Sequence, residues 1–429
     1  MGYFPLEVVK MSAKKENFHR KMLSFILVLL TALIFLQCSD NPTSSPTGSV
    51  ELTSQEKILI ESDNEFGLKL FREINDAQGD SNMFISPLSV AMALGMTLNG
   101  ADGTTLEAMK QTLELSGLTL EEINQSYRHL IDLLIQLDPQ VQFDMVNSIW
   151  YKLNIPEPEA DFLRRCQQYF DALVTGLDFS APDAAPTINA WVKESTNGKI
   201  EEIVDDPIDP SICMFLINAI YFKGSWVYQF DEDLTQDTLF YRLDGTTTIC
   251  PLMSQKAFHP CFATEDFMAL DLPYGDGAYR MTLFVPEEHI DINALIVQFE
   301  PENLNTWLSQ FSNDSVNVFI PKFKLEYSRQ LKDDLTALGM GIAFDPYDAD
   351  FSNMYQNLQV WISKVKHKTF VEVSEEGTEA AAVTDVEMGY TSVSENLTFR
   401  ADRPFVFMIR ESESGTILFI GKILDPTTG

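Results

Sequence analysis

The chain has 429 residues, of which 45% are apolar and 11% aromatic, so it can bury a sizeable core in one large or two ordinary domains. Its 63 acidic and 30 basic residues give a formal net charge of -33. That excess of negative charge argues against nucleic acid and heparin-like polyanions as general ligands, because like charges repel.

The first 37 residues have the layout of a signal peptide. Basic residues precede an apolar run from 22 to 36 that only Ser24 and Thr31 interrupt. The run is shorter than the roughly 20 residues of a membrane-spanning helix. We therefore expect residues 1–37 to direct export and to be removed, with a retained membrane anchor as the alternative. Their removal takes away five basic and two acidic residues and leaves a net charge of -36.

Residues around Cys38 resemble a bacterial lipobox, a motif in which the cysteine is lipidated after cleavage. Gln37 departs from the motif, which prefers a small residue at that position. Residues 38–50 are rich in Ser, Thr, Pro and Gly and cannot bury enough apolar surface to fold, so they predict a flexible tether. The resemblance implies a bacterial lipoprotein held at a membrane surface, facing the periplasm or the cell exterior. Without lipidation the protein would be secreted.

Three stretches near the N-terminus have helical periodicity. Apolar residues between Ser54 and Ala77 fall on one face, residues 86–113 indicate two helices separated by Gly100–Gly103, and residues 120–137 form another amphipathic pattern. After Val174 the chain changes to short β-branched and aromatic runs bounded by Gly, Pro and Asp, which is typical of strands and turns. Helices followed mainly by strands predict an α+β fold.

The cysteines and histidines of this chain do not form a pattern that indicates catalysis or metal binding. Cys166, Cys213, Cys250 and Cys261 lack metal-like spacing, and we expect buried thiols, with a Cys250–Cys261 disulfide as the alternative. The sequence contains no GxSxG, HExxH or phosphate-binding loop, and its five histidines are scattered. We therefore expect no enzyme, no cofactor and no metal site.

Residues 377–392, GTEAAAVTDVEMGYTS, alternate like a strand although they contain few large apolar residues. Every second residue from Thr378 to Met388 is uncharged, and the intervening positions hold all the charges, Glu379, Asp385 and Glu387. This pattern predicts a segment with one face suited to burial and one face suited to water. The alternative is an ordinary polar surface loop.

Seven blocks of sequence resemble the serpin family of serine protease inhibitors, in the order in which that family has them. The blocks are NMFISPLSVAMAL (82–94), INAWVKESTNGKIEEIV (188–204), LINAIYFKGSW (216–226), VFIPKFKLEYSRQLKDDLTALGM (318–340), VKHKTFVEVSEEGTEAAAVT (365–384), FRADRPFVFMIR (399–410) and LFIGKILDP (418–426). The resemblance implies a monomeric serpin domain over residues 51–429. It also implies a fold of three β-sheets, about eight or nine helices and an exposed reactive-centre loop.

For function, the resemblance implies a suicide-type protease inhibitor. A target protease cleaves the loop and is trapped as a covalent acyl-enzyme while the loop inserts into the central sheet. The family's loop length puts the cleaved bond between Thr391 and Ser392, with Tyr390 as the alternative residue before it. Neither Lys nor Arg is nearby, so elastase-, subtilisin- or chymotrypsin-like serine proteases are expected, with papain-like cysteine proteases as a further class. A non-inhibitory binding, carrier or chaperone serpin is the alternative.

The resemblance also assigns roles to residues that move or support the loop. Ser86, Ser89, Asn218 and His367 match the shutter beneath the sheet, Trp226 matches the breach where insertion begins, and Glu375 is the hinge acid expected to pair with a lysine. The hinge itself comprises Gly377, Thr378, Ala380, Ala381 and Ala382. Each buried polar or aromatic residue is equally compatible with an ordinary core role. The acidic stretch 118–138 disfavours activation by heparin.

Overall fold

The computed structural model describes residues 52–378 and 397–428. The α-helices of these ranges are α1 (Ser54–Ala77), α2 (Pro87–Leu98), α3 (Gly103–Thr112), α4 (Leu120–Gln136), α5 (Ala160–Phe170), α6 (Ala184–Ser195), α7 (Ile292–Ile296), α8 (Pro301–Ser309) and α9 (Lys332–Leu335). The strands are β1 (Met83–Ile85), β2 (Val141–Lys152), β3 (Leu173–Leu177), β4 (Met214–Ser225), β5 (Gln236–Tyr241), β6 (Thr247–Ala263), β7 (Phe267–Tyr274), β8 (Tyr279–Pro286), β9 (Ser312–Pro321), β10 (Phe323–Gln330), β11 (Lys366–Val373), β12 (Gly377–Thr378), β13 (Leu397–Arg400), β14 (Phe405–Glu411) and β15 (Ile417–Ile423).

The predicted N-terminal helices are confirmed, and their boundaries have a local cause. At the start of α1, the Thr53 hydroxyl accepts a hydrogen bond from the Glu56 N–H, while the Glu56 carboxylate accepts one from the Thr53 N–H. Thr119 and Glu122 repeat this capping box at the start of α4. Each box satisfies two backbone donors that the helix itself leaves unpaired, so the helix begins where the pair occurs.

The six-stranded sheet, here called the central sheet, has the order β10-β11-β12-β4-β2-β3. Neighbouring strands are antiparallel except β2 and β3, which are parallel. Helix α2 packs between β4 of this sheet and β15 of the second sheet, and it is buried along almost its whole length. The N-terminus of α2 therefore lies beneath the middle of the central sheet.

The second sheet has nine strands in the order β1-β15-β14-β8-β7-β6-β9-β13, with β5 paired to β6. Its two parts are joined by β6, a 17-residue strand that pairs with β7 at one end and with β5 and β9 over the rest. The predicted α+β fold is confirmed. Two of its three expected sheets are continuous through β6 in the described residues.

The core is apolar and lies between the two sheets and their helices. Cys166, Cys250 and Cys261 are buried, Cys213 is half-buried, and all four are free thiols. Three of the four thiols are buried as expected, whereas Cys213 is less buried, and the alternative Cys250–Cys261 disulfide is not formed. In residues 52–378 and 397–428, every helix is too short or too polar to span a bilayer.

Candidate functional site

The chain inserts itself into the middle of the central sheet directly after β11. Residues 374–376 turn, and β12 returns between β11 and β4. Thr378 lies opposite Val373 of β11 and opposite Gly224 of β4, while Gly377 lies opposite Ser225. The first two residues of the alternating segment are thus already a middle strand of the sheet.

Gly377 is required at this point by the closeness of β4. Its φ is +149°, and a Cβ on it would lie 2.1 Å from the carbonyl oxygen of Gly224 and 2.8 Å from Cα of Ser225. Real Cβ atoms do not approach backbone atoms so closely. A side chain at this position would force β12 away from β4.

Glu375 anchors the turn before β12. Its carboxylate lies 2.6 Å from Nζ of Lys322 and accepts a 2.8 Å hydrogen bond from the Thr235 hydroxyl. Its backbone carbonyl accepts from the N–H of Phe230 at 2.9 Å. Burial raises the pKa of Glu375, but the hydrogen bonds from Lys322 and Thr235 outweigh burial and leave the pKa lowered. Glu375 is therefore an anion held in place by one lysine.

Trp226 holds the same turn from the β4 side. Its indole N–H donates to the carbonyl of Ser374, and its backbone N–H donates to the carbonyl of Glu376, both at 3.0 Å. The ring stacks on Tyr274 with centroids 4.4 Å apart. The Tyr274 hydroxyl in turn lies 2.6 Å from the Thr378 hydroxyl. Sequence analysis found Trp226 through the family pattern but gave no role to Tyr274 or Lys322.

Beyond β12, the described residues leave a gap between β4 and β11. Within the described residues, β4 pairs with both residues of β12, β11 pairs only with Thr378, and β4 and β11 do not pair with each other. A cavity of about 520 Å³ follows this gap. Its lining includes residues of α2 beneath the sheet, residues of β4 and β11 on either side, and the segment after α6.

Three of the four predicted shutter residues meet on one side of the opening. The N–H of Ser86 donates to Nε2 of His367 at 3.0 Å, and the Ser86 hydroxyl donates to the carbonyl of Leu418 at 2.7 Å. The N–H of Ser89 donates to the Ser86 hydroxyl oxygen at 3.2 Å and completes the cap of α2. Burial lowers the pKa of His367 to about 4, so the ring is neutral at pH 7 and accepts through Nε2.

The fourth predicted shutter residue, Asn218, lines the same cavity from β4. Its Nδ2 donates to Oδ1 of Asn147 at 3.0 Å, and Asn147 donates to the carbonyl of Phe170 at 2.7 Å. The Oδ1 atom of Asn218 is buried, and no described residue gives it a hydrogen bond. The structure therefore divides the four residues between two walls, and it adds Asn147, which sequence analysis missed.

Several predicted positions lie outside the described residues. They are Cys38, Ala380, Ala381, Ala382, Tyr390, Thr391 and Ser392. Among the residues that are described, no group of three or more His, Cys, Asp or Glu side chains is arranged to hold a metal ion.

This geometry defines a protein whose central sheet holds the first residues of one more middle strand, beyond which the described parts of β4 and β11 are not paired with each other. The family model described as serpin (serine protease inhibitor) matches residues 61–426, which is most of the chain. The chain belongs to the serpin family.

Curated relatives match nearly their whole length. Human serpin B8 is 34% identical over 86% of this chain and 99% of its own, and the leukocyte elastase inhibitor of Equus caballus has the same identity and coverage. Among solved structures, the native thermophilic serpin tengpin has a TM-score of 0.79 at 30% identity, covering 89% of this chain and 97% of its own. Human thyroxine-binding globulin complexed with thyroxine has a TM-score of 0.79 at 27% identity, covering 87% of this chain and 100% of its own.

Proposed function

We propose that the protein is a suicide-type inhibitor of serine proteases that works by inserting its reactive loop into the central sheet. The observation that carries the proposal is β12: Gly377 and Thr378 already occupy the middle of the sheet, directly above the opening between β4 and β11. The cleavage chemistry belongs to the protease, and this chain supplies the bait and the strand.

The length of the alternating segment supports insertion of the whole segment. Because Thr378 faces Gly224, each further residue of an inserted strand would face the preceding residue of β4. Met388 would then face Met214, the first residue of β4. The stretch from Thr378 to Met388, in which alternate residues are uncharged, therefore matches the length of the strand that it would join.

The register also supports a role for the shutter. Thr384 lies six residues after Thr378 in the sequence, so a fully inserted strand that kept this register would put it opposite Asn218 on β4 and His367 on β11. Thr384 has the inward parity of Thr378, which is buried. Its hydroxyl would be a donor for the unpaired Oδ1 of Asn218, which a closed sheet must satisfy.

Insertion would release free energy and displace the protease. Each new ladder hydrogen bond contributes a net 0.5 to 1.5 kcal/mol, about 1 kcal/mol typically, and burial of the inward face adds to it. A strand of about 14 residues at roughly 3.3 Å each would drag an attached protease on the order of 45 Å. That movement would carry the covalently attached protease away from the place at which it cleaved the loop.

The bait bond is proposed to lie between Thr391 and Ser392, with Tyr390 as the alternative preceding residue. Thr suits the shallow pockets of elastase- and subtilisin-like proteases, and Tyr suits chymotrypsin-like ones. Similarity to the equine leukocyte elastase inhibitor supports an elastase-like target. Papain-like cysteine proteases are a further class because they also form acyl-enzymes.

The test is to mix residues 38–429 with elastase, subtilisin, chymotrypsin and a papain-like protease. A complex that survives denaturing electrophoresis, with a released fragment beginning at Ser392, is expected. The variant Thr378→Arg should be cleaved without forming the complex, because a charge at this buried position would stall the strand. Thr398→Arg, at an exposed position on β13, is the matched control and should still form it.

A non-inhibitory carrier is the second candidate, because the fold is also similar to human thyroxine-binding globulin. This function predicts cleavage of the loop by every protease without a covalent complex.

We also propose that the chain is a bacterial lipoprotein, exported and lipidated at Cys38. The support is the sequence alone: a basic segment, an apolar run and a cysteine that begins a polar tether. One acyl chain binds a membrane only marginally, and several hold it firmly. Cys38→Ser should move the protein from the membrane fraction to the supernatant, and an unchanged distribution would contradict the proposal.

A further inference from the structure

Helices α1 and α4 meet through two acidic side chains of α1. Glu56 and Asp63 are seven residues apart, so they lie on one face of that helix. Oε1 of Glu56 lies 2.5 Å from Nδ1 of His129 on α4, and Oδ1 of Asp63 accepts a 2.9 Å hydrogen bond from the Tyr127 hydroxyl. Each of these two contacts therefore depends on a group that can gain or lose a proton.

Asp63 is the more deeply buried of the two carboxylates. It is 3% exposed, and among the described residues no donor forms a hydrogen bond to its Oδ2. Burial raises the pKa of Asp63 to about 7, although the hydrogen bond from Tyr127 lowers it. A buried carboxylate ion with one donor is costly, whereas the protonated carboxyl carries no charge. Loss of the proton from Asp63 should therefore weaken the contact between the two helices.

Glu56 and His129 respond to pH in the same direction. Burial raises the pKa of Glu56, but hydrogen bonds from Thr53 and His129 outweigh burial and leave the pKa lowered. Glu56 therefore stays ionised in mildly acidic solution. Its contact with His129 becomes an ion pair when the imidazole gains a proton, and histidines do so in mildly acidic solution. Acidification should consequently strengthen both contacts.

Charged groups on the elements around this contact are bound to one another. Of the titratable side chains that the structure describes, Tyr127 is the one that shifts the pKa of Asp63. None of the 12 residues of α2, which also packs against α1, is titratable. On α4, Arg128 pairs with Asp132 and Asp171. Further pairs around the two helices are Glu121–Tyr169, Cys166–Met96, Lys69–Glu114, Arg72–Glu300, Arg329–Asp334 and Lys422–Asn75.

We propose that the two contacts form a pH-sensitive clasp, which holds α4 firmly against α1 in mildly acidic solution and loosens in mildly alkaline solution. The clasp does not depend on the proposed inhibitor function and would operate in a carrier as well. Asp63 binds its proton more tightly while α4 is docked than after the helices separate. The stability that this proton contributes is therefore greatest in acid and is lost as the pH rises towards 7. The imidazole of His129 loses its proton in the same direction, so the two contacts act together.

Hydrogen exchange of the backbone amides of α4 tests the clasp. The readout is the protection factor, which corrects for the intrinsic pH dependence of exchange. In the unaltered protein it should fall at least about tenfold between pH 5 and pH 8.5. Asp63→Asn can still accept from Tyr127 but does not titrate, so it should lose most of that fall. His129→Gln should lose a smaller part, because the side chain of His129 is 65% exposed.

Glu61→Gln is the matched control, since Glu61 is an exposed carboxylate on the same helix, and this variant should behave like the unaltered protein. Tyr127→Phe provides a second test that does not need Asp63→Asn to fold. Because the hydrogen bond from Tyr127 lowers the pKa of Asp63, Tyr127→Phe should move the fall in protection to higher pH. A purely structural role would leave the position of the fall unchanged. A protection factor that does not fall in the unaltered protein, an equal fall in Asp63→Asn and Glu61→Gln, or an unshifted fall in Tyr127→Phe would overturn the inference.

Discussion

The backbone N–H of Ser86 donates a hydrogen bond to Nε2 of His367 across 3.0 Å, although the two residues are 281 positions apart. Burial lowers the pKa of His367 to about 4, whereas an unfolded histidine titrates near 6.5. Between these values the unfolded chain binds a proton that the folded ring does not bind. Stability that depends on His367 is therefore complete above about pH 6.5 and falls as the pH drops towards 4.

The pH dependence can be isolated with His367→Gln, whose amide oxygen can accept the same bond but does not titrate. Between pH 7.5 and pH 5 the unaltered protein should lose about 2 kcal/mol more stability than this variant, measured by thermal unfolding. His289→Gln, at an exposed position, is the control and should behave like the unaltered protein. A variant that loses as much stability as the unaltered protein would refute the role of His367.

Gly377→Ala should abolish inhibition and leave cleavage intact. The added Cβ would collide with the carbonyl of Gly224, so β12 could not stay in the sheet and insertion could not begin. The collision and the strained φ together cost several kcal/mol. The complex should give way almost entirely to cleaved protein on a denaturing gel. Gly245 also has a positive φ, +80°, but a Cβ added to it would have no neighbouring atom within 4 Å. Gly245→Ala is therefore the control, and this variant should inhibit normally.

Lys322→Gln should loosen the hinge. The substitution leaves the buried Glu375 carboxylate with the Thr235 hydroxyl but without its cation. Because Lys322 is itself 39% exposed, we expect a loss of only about 1 kcal/mol, seen as a lower thermal midpoint. The pKa of Glu375 is lowered in the folded protein, so this contribution exists above the unfolded pKa and disappears as the pH falls through the folded one. The difference in thermal midpoint between the unaltered protein and Lys322→Gln should therefore disappear at acidic pH.

Thr384→Val should lower the stability of the cleaved protein without changing that of the intact protein. The Thr384 hydroxyl is expected to reach Asn218 only after insertion, so its loss should cost about 1 kcal/mol in the cleaved form alone. Thermal midpoints before and after proteolysis measure the difference. Thr398→Val removes an exposed hydroxyl on β13 and should change neither value. Equal losses in both forms would show that Thr384 acts in another way.

Thr391→Arg should redirect the inhibitor to trypsin. An Arg before the cleaved bond fits the acidic pocket of trypsin-like proteases, whereas the present loop has no Lys or Arg near the proposed bond. We expect a new covalent complex with trypsin and weaker complexes with elastase-like proteases. Tyr390→Arg is the internal comparison, and it should give no such gain if the bond follows Thr391. A trypsin complex with Tyr390→Arg alone would move the bait bond by one residue.

Local patterns were enough to predict the helices near the N-terminus, because the apolar residues that form one face of a helix are only three or four positions apart in the sequence. The strand β2 was not predicted, although Val141, Phe143 and Met145 alternate with polar residues, because its ladder with β4 joins segments that are far apart in the sequence. The partners at the site could not be predicted from periodicity. Glu375 meets Lys322 and Thr235 from distant strands and turns, and Asn218 meets Asn147 across two strands.

The lack of pairing between β4 and β11 below Thr378 has a consequence for how the protein responds to heat. A chain that can make more hydrogen bonds by taking up its own loop has a lower free-energy state than the open one, and only a barrier separates them. Its heat resistance is then a rate, so the apparent melting temperature should rise with the speed of the scan. Long storage and high temperature, as well as cleavage by a protease, would convert the open form into the form that has taken up its loop.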